Sequence, residues 1–127
     1  MKASTEIPER TAPFATRLAD RVRSIGSPLV VGIDPVIERF PSELGGLDVE
    51  SALVHFGDGV LSAVAPFVAA VKPQSAFFER HGWAGWRALQ RVVARAAELG
   101  VPVILDAKRG DIGSTATAYA EGLLGDD

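Results

Sequence analysis

The chain has 127 residues, no cysteine, a formal net charge of -3, and 47% hydrophobic against 23% charged residues. That length suits one ordinary domain with its own core, and that balance excludes a disordered tract or a coiled coil. The missing cysteines exclude disulfides, thiolate metal sites and cysteine nucleophiles, and a mildly acidic chain lacks the basic footprint of a nucleic-acid binder.

The start, MKASTEIPER, is too polar for the apolar centre of a secretion signal. No run approaches the roughly 18 apolar residues of a membrane span, so a cytoplasmic protein with no membrane partner is expected. Phe14, Leu18, Val22 and Ile25 recur on one helical face that Gly26 closes. The β-branched run PLVVGIDP (28–35) follows and reads as a buried strand. Residues 48–67 carry a helical pattern weakened by Gly57 and Gly59, and VAAVKPQ (68–74) reads as a second strand. The clearest helix spans 83–100, with Trp86, Leu89, Val93 and Ala96 on its apolar stripe and Gly100 at its C-cap. VPVILDAK (101–108) is the expected third strand, and STATAYAEGLL (114–124) a last helix. Strands alternating with helices predict parallel pairing and an α/β class, in one domain or part of one.

Each expected strand ends in charge: Asp34, then Lys72, then Asp106 with Lys108, and Asp111 lies just beyond. In parallel sheets and barrels the C-terminal strand ends share one rim, so these groups are expected to converge there. Asp106 and Lys108, two residues apart, share a face of their strand. Taken singly, each has an ordinary reading: Asp34 as a turn former, Lys72 as a solvated strand end, Asp111 as a helix cap, and Asp106 with Lys108 as a structural ion pair. Taken together, one shared site is the simpler account. A lysine flanked by carboxylates stays protonated, which suits it poorly to Schiff-base chemistry. It suits it well to stabilising a nascent anion and then protonating it, which is the chemistry of a carbanion. His55 and His81 lack partners at metal-ligand spacing, and Trp83 and Trp86 are expected in the core. The glycine-rich nucleotide fingerprints are absent.

LDAKRGDIGST (105–115) resembles the D-x-K-x-x-D signature of the orotidine 5′-phosphate decarboxylase family. With VVGIDP, VKPQSAFFERHG and GDIGSTA, residues 13–122 are similar to its bacterial type 2 subgroup. The resemblance implies a (β/α)8 TIM barrel, with 1–127 as the N-terminal part of a single barrel domain, holding three strands and the following helix. It implies cofactor-free and metal-free decarboxylation of orotidine 5′-phosphate to UMP in pyrimidine biosynthesis. Lys72, Asp106, Lys108 and Asp111 would form the charged tetrad, with Lys108 protonating C6 of the pyrimidine. Asp34 would hold a ribose hydroxyl, while Asp111 and Thr115 would serve a neighbouring subunit's pocket, which makes a homodimer the expected assembly. The nearest rival is a magnesium-dependent sugar-phosphate lyase of the same superfamily. It needs an acidic metal ligand at the second strand's end, where this chain has the opposing charge of Lys72. A closed barrel takes about 200 residues or more, so an inactive truncated fragment, with an open sheet edge and without the phosphate-gripping loops, is the other expectation.

Overall fold

The computed structural model describes residues 12–124; the polar start read above lies outside them. Helix α1 (Phe14–Ile25) stops where Gly26 takes φ 68 and donates its N–H to Val22 O, a left-handed turn that glycine adopts without strain. Its apolar stripe is not buried: none of its residues is fully covered, and Phe14 is 38% exposed. What fastens α1 is Arg21, whose guanidinium donates to Val68 O and to Ala65 O. Ala65 is the C-cap of α2 (Val49–Val64), and the cation there meets carbonyls that helix geometry leaves unpaired.

Strand β1 (Val30–Ile33) runs parallel to β2 (Ala70–Pro73), in a register that sets Val30 against Ala70 and Ile33 against Pro73. Helix α2 makes the crossover between them, its first turn capped by Asp48, whose carboxylate accepts from the Ser51 N–H. Two 3-10 turns, Ile37–Arg39 and Ser42–Leu44, lie between β1 and α2. The short α3 (Ser75–Glu79) follows β2 directly, then α4 (Gly82–Glu98) and, after the 101–112 stretch, α5 (Gly113–Leu124).

The core lies where α2 and α4 pack together beneath the strands: Ile33, Leu53, Leu61, Val71, Phe78, Leu89 and Val92 are almost wholly buried. Gly57, which weakened the helical pattern, sits at this seam. A Cβ there would come within 2.5 Å of Val92 Cγ2, so the glycine admits the close approach of the two helices. Glu50, paired with Arg87 and Arg91, and Asp58, paired with Arg95, bridge the exposed margins of the same seam.

Four expectations are corrected. The first strand is not buried: only Ile33 of β1 is, while Val30 at its start and Leu29 just before it are 44% and 60% exposed. The third strand is not a continuous ladder. VPVILDAK pairs with β2 and the residue after it through two isolated parallel bridges, Val71 to Val103 and Gln74 to Asp106. Hydrogen bonds run from Val71 N to Pro102 O, Ile104 N to Val71 O, Asp106 N to Pro73 O and Ser75 N to Asp106 O. The missing rung is the one Pro73 would donate, and proline has no N–H to donate. Trp83 is 79% exposed rather than core, standing on the outer side of the first turn of α4. The buried stripe of α4 is Gly85, Ala88, Leu89, Val92 and Ala96, with Trp86 and Val93 half-buried at its margins.

Helix α4 ends as its glycine predicts, with Gly100 at φ 67 donating to Ala97 O. No described helix is long and apolar enough to cross a membrane.

Candidate active site

The C-terminal ends of β2 and the 101–108 stretch meet at one rim. Lys72 on β2 and Gln74 just past its end, two residues apart, project to the same side. Both donate to one oxygen of Asp106: Lys72 Nζ at 3.1 Å and Gln74 Nε2 at 2.9 Å from Oδ2. Lys108 Nζ lies 3.8 Å from the other oxygen, Oδ1. The rungs on either side of Asp106 fix its backbone, so the carboxylate is aimed by the sheet and held by β2.

These contacts keep Asp106 ionised. The Lys72 hydrogen bond is the main cause that draws its pKa below the ordinary value of 3.8, with the charges of Lys108 and Lys72 and the Gln74 amide adding to it and partial burial opposing. The side chains of Lys72 and Asp106 are 37% and 32% exposed, whereas that of Lys108 is 89% exposed. The row is therefore a carboxylate between two ammonium groups, with the outer ammonium open to an incoming molecule.

That order differs from the lysine between two carboxylates that the spacing suggested. Asp111 is exposed and turned to its own loop, where its Oδ1 accepts from the Ile112 N–H at 2.7 Å. It forms no ion pair among the described residues. Thr115 is exposed in the first turn of α5. Asp34 is exposed just past β1, two residues beyond Gly32, which is in register with Lys72. A Cβ on Gly32 would lie 3.6 Å from Asp34 Oδ1, so the aspartate leans back along the rim.

Sequence reasoning missed Gln74, although the period-two alternation from Lys72 pointed to it. It also missed Ser75, Glu79 and Arg109. Glu79 pairs with Arg109 across 30 positions, and no local spacing signals that. Elsewhere, a groove of about 320 Å³ between α2 and α4 is lined by Val54, His55, Asp58, Arg91 and Arg95, away from the rim. His55 Nδ1 sits 2.8 Å from Ser51 O on its own helix. Among the described residues no group of three or more His, Asp or Glu side chains is placed to hold a metal ion.

An ionised acid and an accessible ammonium, set side by side at a sheet's rim, can repel one anion and stabilise another forming next to it. The sequence profile of the orotidine 5′-phosphate decarboxylase / HUMPS family matches residues 27–126. The chain belongs to this family.

Among family relatives, the orotidine 5′-phosphate decarboxylase of Nocardioides sp. is 48% identical over 112 residues, covering 88% of this chain and 40% of the relative. That of Deinococcus radiodurans is 46% identical over 115 residues, covering 91% of this chain and 40% of the relative. The structure of Leishmania donovani OMP decarboxylase superposes with a TM-score of 0.70 at 38% identity, covering 86% of this chain and 38% of that one. Leishmania donovani UMP synthase gives 0.72 at 38% identity, covering 88% and 22%. The family's solved structures are TIM barrels, and this chain has the fold of their N-terminal portion. It spans about 40% of the length of the curated relatives it matches.

Proposed function

We propose that the chain supplies the charged row of an enzyme that converts orotidine 5′-phosphate to UMP in pyrimidine biosynthesis, in the cytoplasm. The observation that carries this reading is Asp106, held ionised by Lys72 and Gln74 with Lys108 alongside, within the family's D-x-K-x-x-D motif. In this mechanism the bond between C6 and the carboxylate breaks, its electron pair stays on C6, and carbon dioxide leaves. Lys108 Nζ then gives a proton to C6 and recovers one from water.

Asp106 opposes the substrate carboxylate, but enzymes typically lower a barrier by about 8 to 23 kcal/mol, far beyond one repulsion at a partly solvated rim. Stabilising the carbanion beside Lys108 is the larger share. That requires the exposed ammonium to be covered, since water screens its field. Asp111 and Thr115, on an exposed loop and helix start, are suited to complete the pocket of a second subunit in a homodimer. Asp34, exposed just past β1, would on this reading bind a ribose hydroxyl. Residues 1–127 are, on this reading, the N-terminal part of one barrel domain, and the substrate phosphate is held by loops from later strands. Neither cofactor nor metal enters the scheme, and the ammonium of Lys72 opposes a divalent ion at the place a metal-dependent lyase would need one.

Lys108→Ala is expected to abolish loss of orotidylate absorbance nearly completely while leaving UMP affinity measurable; near-normal turnover would refute the assignment. Sedimentation of the chain, coupled to the same assay, separates an active dimer from an inactive fragment. Activity that vanishes under exhaustive chelation and returns with magnesium would favour the metal-dependent lyase instead.

A further inference from the structure

Behind the charged row runs a second polar chain that the proposed chemistry does not use. Ser75, only 1% exposed, opens α3 immediately after the end of β2. Its hydroxyl donates to Glu79 Oε2 at 3.0 Å, one helical turn along. The other oxygen of Glu79 accepts from the Arg109 guanidinium, and these two side chains are 24% and 26% exposed, better covered than Lys72, Asp106 or Lys108. Arg109 Nη1 in turn donates to the backbone carbonyl of Lys108 at 2.9 Å.

The chain ends on the residue whose place matters most. Lys108 is 89% exposed, and its ammonium is 3.8 Å from Asp106, too far for a hydrogen bond. An exposed ion pair of that kind does little to fix a long side chain. The sheet rungs stop at Asp106, and among the described residues the one backbone–backbone bond within 107–110 is Arg109 N to Ala107 O. Among the described residues, the Glu79 to Arg109 pair is the one hydrogen bond that ties residues 107–110 to an earlier element. Arginine fits this task because its planar fork reaches a carboxylate and a carbonyl at once.

We propose that Glu79 and Arg109 are positioning residues: Glu79, oriented by Ser75, holds Arg109, and Arg109 holds the Lys108 backbone so that the ammonium stays against Asp106. This rests on the role proposed for Lys108, but the test reads where Lys108 sits rather than turnover. The carboxyl carbon of Asp106 is followed by carbon-13 NMR through its titration in four chains: parent, Lys108→Gln, Glu79→Gln and the double variant. In the parent background Lys108→Gln raises the Asp106 midpoint, because an attracting charge is lost. In the Glu79→Gln background that rise is expected to shrink by at least half, because Lys108 is no longer held in place.

The control is Lys72→Gln, which must raise the midpoint equally in both backgrounds, since a general loosening of the rim would diminish both effects. Arg109→Lys, which keeps the charge but not the fork, is expected to reproduce Glu79→Gln and serves if that variant does not fold. An equal Lys108→Gln rise in both backgrounds would overturn the anchor while leaving the charged row intact. No rise in either would overturn the anchor together with the row it serves.

Discussion

Gly85→Ala tests how α3 and α4 are locked together beneath the rim. Gly85 is buried in the first turn of α4, where that helix packs against α3. A Cβ there would lie 1.7 Å from the Phe78 carbonyl oxygen, 2.6 Å from its carbon and 3.2 Å from His81 Cβ. The obstacle is backbone, so no side-chain rotation relieves it, and the two helices must separate by about 1 Å or more. Overpacking of this kind costs about 1–3 kcal/mol, and the upper end applies where main chain must move. Gly59→Ala supplies the reference: it lies in the interior of α2 with nothing within 4 Å of its Cβ. Both substitutions gain the helix propensity of alanine, about 1 kcal/mol, so that term cancels between them. The net expectation is a gap of about 3 kcal/mol, or roughly 10 °C in melting temperature for a chain of this size. Urea unfolding followed by circular dichroism, with unchanged slope, gives the difference directly. Gly85→Ala as stable as Gly59→Ala would refute the packing argument.

Removing the Lys72 ammonium as Lys72→Met is expected to return the Asp106 titration towards the ordinary value of 3.8, as carbon-13 NMR would read. Because the folded value is depressed, Asp106 stabilises the fold above the ordinary carboxylate value, and that contribution is lost as pH falls through the lower folded value. The variant should therefore lose less stability on acidification than the parent, and identical acid limbs in urea unfolding would contradict this. Pro73→Ala restores an N–H facing Ile104 O, so its new amide is expected to exchange slowly with deuterium. Exchange at the rate of a free amide would show that something other than the missing donor interrupts the ladder.

The helix ends at Gly26 and Gly100 were legible because a left-handed turn leaves few alternatives to glycine. The charged row was legible for a different reason: parallel topology brings Lys72 to the same end as Asp106, and Lys108 follows Asp106 by two residues in the sequence. Its internal order was not, since whether an acid lies between lysines or a lysine between acids depends on side-chain reach across strands. Helix α3, five residues long, is too short to show a period. The exposure of Leu29 and Val30 escaped the reading because burial of a strand depends on what packs over it, which composition does not record. Pro73 did carry a signal, a residue without a donor inside an expected strand, and the interrupted pairing is its consequence. Trp83 shows the limit of reading an aromatic as core when it opens a helix instead of lining its inner face.

Gln74 has two attachments on opposite flanks: its main-chain N–H donates to Ile33 O at 3.1 Å, and its amide reaches Asp106 at 2.9 Å. One residue thus staples three stretches of chain that are distant in sequence. Slack where β1 ends would reach the acid through this bracket as well as through Lys72, whose strand position is in register with Gly32, so the aim of Asp106 depends on a strand it never touches.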